Sequence, residues 1–529
     1  MSLLPGEKLR YAETHFKFKL PWSLLYRPWP EIIFDAAFQA VPGTVPTLWI
    51  VVRDADRFPV TLDSAEIEIK SPFERIKKKV SLKIKADKPL EFFPIPLHEL
   101  KPGAYKIMPT VKATRLNANG GKGETRSFTR WNLPGLKPAP LTLTVLAQKP
   151  PIAPGFVAGE MHCHTHYSRD HVEYGATPAI LQQAAKNVGL DFVCCTDHAY
   201  DFAFTDEDYT KEAESPVPRF QKLREEIAAL PSDDGEPLLL AGEEISAGNS
   251  KKENVHVLMF APDGYLPGLG DCGRYWLENK PTLSIPQVLK NTQAHCFAAH
   301  PFQQMGIVEK FVFRRGYWTH KDLNLENGHS IRGLQFWNGV RDEGFKLGRE
   351  FWIEELGKGN FLLPIGGNDA HGDLNDTTAV STPLVSLKHS RDHVFGKVRT
   401  AILLKTPEGS EEQPRLSLDA LNAAFAGDNC YITDGPALWW ERSGKLLLVH
   451  ARNTPDFGGG FRYIRIFGRR YTNTGKLAKN EELCMESLIA APQSADISVY
   501  VDNFAYLRAE CETASGKFAM TSAARFERG

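Results

Sequence analysis

Cysteine is scarce in this sequence. Eight occur in 529 residues (Cys163, Cys194, Cys195, Cys272, Cys296, Cys430, Cys484 and Cys511), with no C-x-x-C pair among them. That excludes a disulfide framework and a zinc-ribbon pattern; the thiols are expected reduced and buried, with Cys194-Cys195 as core. No apolar run reaches the roughly 18 residues that a membrane span needs, so no membrane partner is expected. The opening stretch MSLLPGEKLRYAETHFKFKL lacks an apolar h-region and a small-residue cleavage site. This argues against a secretory leader and for a cytoplasmic location. Excess charge is missing too, since 63 Lys and Arg stand against 64 Asp and Glu. A balanced chain lacks the basic footprint of a dedicated nucleic-acid binder. The expected partner is a small molecule, with homo-oligomerisation left open.

What is present is an ordinary globular composition, 42% apolar and 24% charged, long enough for several domains of about 150 residues. Residues 1–148 read as β structure: VTLDSAEIEIKS (60–71) and Val80–Asp87 alternate with period two, Pro102-Gly103 marks a turn, and LTLTVL (141–146) closes the run. An immunoglobulin-like β-sandwich is expected there. The basic cluster from Arg75 to Lys88 suits an edge strand protected by lysines. The proline-rich AQKPPIAPG (147–155) reads as a linker.

Over 156–395 strand and helix signals alternate. Thr177 suits an N-cap and Pro178 the first helical position; Ile180, Leu181, Ala184, Ala185 and Val188 share one face, and Gly189 is the stop. A short apolar strand at 191–196 follows, so the order is strand, helix, strand, which predicts a parallel α/β layout. From 396 to 529, GKLLLVHA, FRYIRIFGRRY and ADISVYVDNF return to strand signals and predict a C-terminal β-rich domain.

Of the 16 histidines, 11 fall between His162 and His371. In HCHTHYSRD (162–170), His162 and His164 point to one side of a strand and Cys163 to the other. Two imidazoles projecting from one strand can grip a metal, although H-x-H alone arises by chance. Further along come Thr196-Asp197-His198, Gly242-Glu243-Glu244, His256 in NVHVL, His300 in AAHP, and Asp369 with His371 in GGNDAH. Each motif ends or interrupts an apolar strand-like run, where α/β folds place their ligand sites.

This ordered series resembles the PHP superfamily (the polymerase and histidinol phosphatase domain) over about residues 158–375. The segments Gly427–Pro436 and Tyr506–Glu510 are similar to its carbaryl-hydrolase-like branch. The resemblance implies an α/β fold, a distorted (β/α)7 barrel over 156–395, flanked by the β-sandwich and the β-rich C-terminal domain. It also implies two or three divalent ions. His162, His164 and Asp369 would hold the first and Glu244 would bridge to a second, completed by His256 and His300. Asp170, His198 and His371 would hold a third. Glu244, Asp369 and His371 would carry the catalytic step, and Asp197 would orient a neighbouring imidazole.

Nitrogen and oxygen donors suit Zn, Mn or Fe. Two or three divalent ions would outweigh the carboxylates, so an anionic substrate is expected. The activity expected is a phosphoesterase acting on a small phosphorylated substrate, through a hydroxide bridging two metals. The alternative is hydrolysis of a carboxyl ester, carbamate or amide at the same site. Arg169 could steer an anion, and Asn338 could line the pocket or serve a turn. The inserts 262–276 and 311–320 could form a lid or merely cover the sheet.

Overall fold

The computed structural model describes residues 29–116, 121–132, 137–168, 175–205, 212–271, 279–306, 310–311, 313–323, 330–381, 386–405, 415–472, 477–488 and 493–527. In its N-terminal part, Glu31–Ala36, Thr47–Arg53 and Leu90–Pro96 form a small antiparallel sheet. A second sheet is built on Val60–Lys70, Arg75–Ala86 and Gly103–Leu116. The period-two pattern turns one side of each sheet inward, so that Ile32, Phe34, Leu48 and Ile50 of the first share a core with Leu62, Ile67, Ile107 and Val111 of the second. Arg75–Ala86 lies at the edge of its sheet with Lys77, Lys78 and Lys79 exposed, where lysines discourage pairing with another chain.

The middle of the chain supplies β1 (Phe156–His164), β2 (Phe192–His198), β3 (Leu238–Gly248), β4 (Asn254–Phe260), β5 (His295–Ala299), β6 (Gly333–Asn338) and β7 (Leu363–Gly367). Helix α1 (Pro178–Val188) joins β1 to β2, α2 (Val217–Ala228) joins β2 to β3, and α3 (Glu343–Lys358) joins β6 to β7. α1 begins where the Thr177 side chain accepts the Ile180 N–H, and it ends at the left-handed Gly189, φ 77°.

The expected (β/α)7 barrel is not what forms. Among the described residues, strands make up 46% and helices 16%, and the sheet is mixed. β1, β2 and β3 run parallel, as do β5, β6 and β7, but β4 is antiparallel to both β3 and β5. The reason is local: only residues 249–253 separate β3 from β4, whereas a parallel return needs a crossover of about a dozen residues or more. The alternation at β1-α1-β2-α2-β3 is therefore interrupted at β4 and recurs at β6-α3-β7. The sheet also continues past β1 through β8 (Arg399–Leu403) and β9 (Cys430–Thr433). From there it runs into β10 (Phe461–Arg470), β11 (Phe504–Thr513) and β12 (Phe518–Thr521), in the order β9-β12-β11-β10. The described cysteines are all free and, apart from half-buried Cys484, buried; Cys272 lies outside the described residues. Among the described residues no helix is long and apolar enough to cross a membrane.

A buried charge network fastens α3 to the C-terminal strands. Arg508 on β11 is fully buried and donates from Nε to Glu481 (2.7 Å) and from Nη1 to Glu510. Arg349 on α3 donates to the same Glu510 carboxylate, 2.7 Å. Burial alone would raise the Glu510 carboxyl, but Arg508 and Arg349 outweigh it and hold it below its ordinary value. Removing one partner of such a network strands a buried charge. Arg508→Met is expected to cost about 3–5 kcal/mol in urea unfolding; a loss under about 1 kcal/mol, the range of an exposed pair, would contradict this role.

Candidate metal centre

The strands deliver the side chains by their period. On β1, His162 and His164 face inward while Cys163 packs on the opposite side with Cys195, Ala184 and Ala185. β3 places Glu244 beside His198, its register partner at the end of β2. Glu243 faces away, where its carboxylate accepts the Leu266 N–H and burial raises it well above the ordinary range. His256 lies on β4 and His300 just beyond β5. Asp369 and His371 follow β7, which returns to β1 through a hydrogen bond from Asp369 N–H to the His162 carbonyl, 2.8 Å. Two of these positions carry strained backbone: φ is +25° at His300 and +52° at Asp369, conformations that non-glycine residues hold only when their surroundings fix them.

Three overlapping groups result, in each of which the donor atoms lie within 4.8 Å of one another: His162, His164, Glu244 and Asp369; Glu244, His256 and His300; and His164, His198 and His371. Glu244 is central. Its Oε1 lies 2.7 Å from His256 Nδ1, 3.0 Å from His300 Nε2 and 3.4 Å from His162 Nε2. Its Oε2 lies 2.9 Å from His198 Nδ1 and 3.5 Å from His164 Nε2. Asp369 Oδ1 lies 3.1 Å from His164 Nε2 and 3.4 Å from His162 Nε2. Asp170 lies outside the described residues, as does Arg169; among the described residues the third group consists of three imidazoles.

The hydrogen bonds around the cluster assign one tautomer. The backbone N–H of His300 can only donate, so the Gln335 atom it meets at 3.3 Å is the amide oxygen. At the far end, the Asp369 carboxylate accepts from Asn338 Nδ2 (3.3 Å), which leaves Asn338 Oδ1 to accept from Gln335 Nε2 (3.2 Å). With Gln335 so fixed, its oxygen also accepts from His162 Nδ1–H, 2.9 Å. When neutral, His162 therefore turns the Nε2 lone pair toward His164 Nε2, 3.2 Å away, and toward both carboxylates. Once the Nε2 proton is displaced, that lone pair and the two carboxylates converge on a place that suits a cation. The residues present fit divalent metal ions bound through nitrogen and oxygen.

The titration behaviour points the same way. Burial would raise Glu244, but His256, His162 and His198 outweigh it and hold the carboxyl well below its ordinary value. Burial opposes charge on His162, yet Glu244 and Asp369 lift it to about 9; His256 reaches about 9 through Glu244 and Asp271. Burial, with His371 and His198 nearby, pushes His164 well down. The carboxylates thus attract positive charge into the site, as protons when no metal is bound.

Three further residues support the cluster, of which Ser168 lies in HCHTHYSRD while Gln335 and Asp271 carried no motif. Gln335 is a lone amide inside the apolar run GLQFWN. Asp271 comes from the 262–276 insert, accepts from His256 Nε2 at 2.9 Å and pairs with Arg315 Nε at 2.6 Å. Asp271 of this insert and Arg315 of that at 311–320 thus reach the site. Ser168 Oγ lies 3.0 Å from His164 Nδ1 and accepts the His198 N–H. Asp197, expected to orient an imidazole, instead accepts from Thr165 N–H, Thr165 Oγ–H and Ser168 N–H; it holds the turn that presents Ser168. A polar residue in an apolar strand was the available signal for Gln335, whereas Asp271 had none.

No protein-family model and no curated protein matches the chain. Among solved structures, a β-D-mannosidase from Dictyoglomus thermophilum aligns at 12% identity over 94% of this chain and 68% of its own, with a TM-score of 0.20. A glycosyl hydrolase family 2 member from Bacteroides cellulosilyticus aligns at 9% identity over 94% and 78%, with a TM-score of 0.14. Similarity at these TM-scores does not amount to a shared architecture.

Ligand imidazoles must lose their protons to bind metal. Because His162 and His256 titrate near 9 in the metal-free site, Mn or Zn binding at pH 7.5 is expected to release protons, and affinity is expected to fall as pH falls. Calorimetric titration in two buffers of different ionisation enthalpy measures the release. Identical heats in both buffers would contradict the assignment.

Proposed function

We propose that the protein is a metal-dependent hydrolase of the PHP kind, acting on a small phosphorylated substrate. The observation that supports this most is the single buried Glu244 carboxylate, whose two oxygens face different imidazole groups. Bound divalent ions would supply Lewis acidity and activate water near neutral pH. His162, His164, Glu244 and Asp369 would hold one ion, Glu244, His256 and His300 a second, and His164, His198 and His371 a third.

The chain's own residues do the rest. Gln335 keeps the His162 lone pair turned inward, Asp271 holds His256 by its second nitrogen, and Asn338 steadies Asp369. Among the described residues Glu244 and Asp369 are the carboxylates of the ligand groups; even with Asp170 counted, two or three divalent ions would leave surplus positive charge, which suits a phosphoryl group. Arg315 lines a cavity of about 20 Å³ together with His256, His300 and Trp318, room for a water, and its pairing with Asp271 holds the residue that supports His256.

A second reading is hydrolysis of a carboxyl ester, carbamate or amide at the same site, and the adjoining cleft is compatible with both. This space of about 160 Å³ runs from His300 and Asn338 along Phe336 and Phe345 to Asp342 and Asp392. A cavity of about 150 Å³ accepts a benzene ring, and the two acids would disfavour a second anion. The cleft thus suits an uncharged, ring-sized leaving group and fits either bond.

Initial rates of the manganese-loaded protein on p-nitrophenyl phosphate and p-nitrophenyl acetate, each blanked with chelator, separate the readings. Chelator-sensitive turnover of the phosphate is expected, lost in Asp369→Ala with the fold intact. Turnover of the acetate alone would favour the second reading, and an unchanged kcat in Asp369→Ala would remove Asp369 from the mechanism.

A further inference from the structure

We propose that Glu160 and Asn368 form a buried clamp that sets the spacing of His162 and Asp369, and so governs the affinity of that metal group over the one at His256 and His300. The proposal rests on the metal reading above, and it begins from a carboxylate which that reading does not use. Glu160 lies on β1, two residues before His162, and is fully buried. Its Oε1 accepts the backbone N–H of His162 (3.1 Å) and of Asn368 (2.9 Å). Its Oε2 accepts the Gly396 N–H (2.9 Å) and the Asn368 side-chain Nδ2. One side chain thereby holds the backbone of one candidate ligand and of the residue next to another.

Asn368 completes the clamp. Its Nδ2 also donates to the Val398 carbonyl (2.9 Å), its Oδ1 accepts the Val398 N–H (3.0 Å), and its own carbonyl accepts from His393 Nδ1, 2.9 Å. Both faces of the residue before Asp369 are therefore fixed, which explains how Asp369 keeps φ at +52°. Close approach of β7 to β1 requires Gly367: a Cβ there would lie 2.8 Å from His162 Cβ and 3.1 Å from Glu160 Oε1. None of these bonds touches Glu244, His256 or His300. The clamp therefore acts on one metal group and spares the other.

Glu160 meets four donors, so the position demands a group that only accepts. Glu160→Gln turns an NH2 toward two of them, whereas Glu160→Asp keeps the acceptor at shorter reach. Mn and Zn binding to full-length variants is measured by calorimetry, with bound metal counted after dialysis. Glu160→Gln is expected to weaken one ion 10–100-fold, the usual cost of losing a ligand's supporting partner, and to leave a second ion at wild-type affinity. Glu160→Asp is expected to fall between, and serves if the Gln variant does not fold. Arg508→Met, destabilised elsewhere, is expected to bind all ions normally. Wild-type affinities in the Glu160 variants, or equal weakening of every ion, would overturn the clamp alone. A wild-type protein that binds no divalent ion would overturn the metal reading and the clamp with it.

Discussion

A carboxylate held ionised with only 1% of its surface exposed needs compensation, and Glu244 sets that requirement for the whole centre of the molecule. Five imidazoles, those of His162, His164, His198, His256 and His300, stand within 3.5 Å of its two oxygens. Neutral imidazoles satisfy such an anion only partly, and protonating several of them would crowd like charges together. Divalent cations resolve both problems, since each accepts lone pairs from nitrogen and oxygen and supplies the missing charge. The energetic logic of the site is thus that of an anion and a set of lone pairs arranged around positive charge.

The sheet exists in a form that can hold this arrangement. Parallel strands β1 to β3 bring His162, His164, His198 and Glu244 to one region by their two-residue period. The antiparallel β4 then inserts His256 from the opposite direction. Beyond β5 and β7 the chain must turn sharply to aim His300 and Asp369 back, and both residues carry positive φ. Each strained turn is secured by a buried polar side chain: Gln335 under His300, and Glu160 with Asn368 under Asp369. Rigidity of this kind fits a centre whose donors must stay in place whether or not ions are bound.

Much of the site could be read from the sequence because metal chemistry selects residue types that otherwise avoid apolar strands. His162, His164, His198, Glu244, His256, His300, Asp369 and His371 all stand out against such runs, and all of them converge. Architecture was less legible. A strand–helix–strand beginning suggested a parallel α/β layout and the family resemblance a barrel, but the five-residue link between β3 and β4 decides the direction of β4, and a short polar link reads alike as a turn or as a trimmed crossover. Asp271 and Glu160 were not legible as supports: one sits in a loop whose path no periodicity fixes, and the other is a carboxylate three of whose four donors come from more than 200 residues away. Long-range hydrogen bonds leave no local pattern.

The most direct measurement is anomalous diffraction from crystals of the full-length protein soaked in Mn or Zn, recorded at the absorption edge of the metal. Peaks are expected beside Glu244, one among His162, His164 and Asp369 and another between His256 and His300. Crystals that show no peak there, with the imidazoles instead paired to water or to one another, would contradict the metal reading.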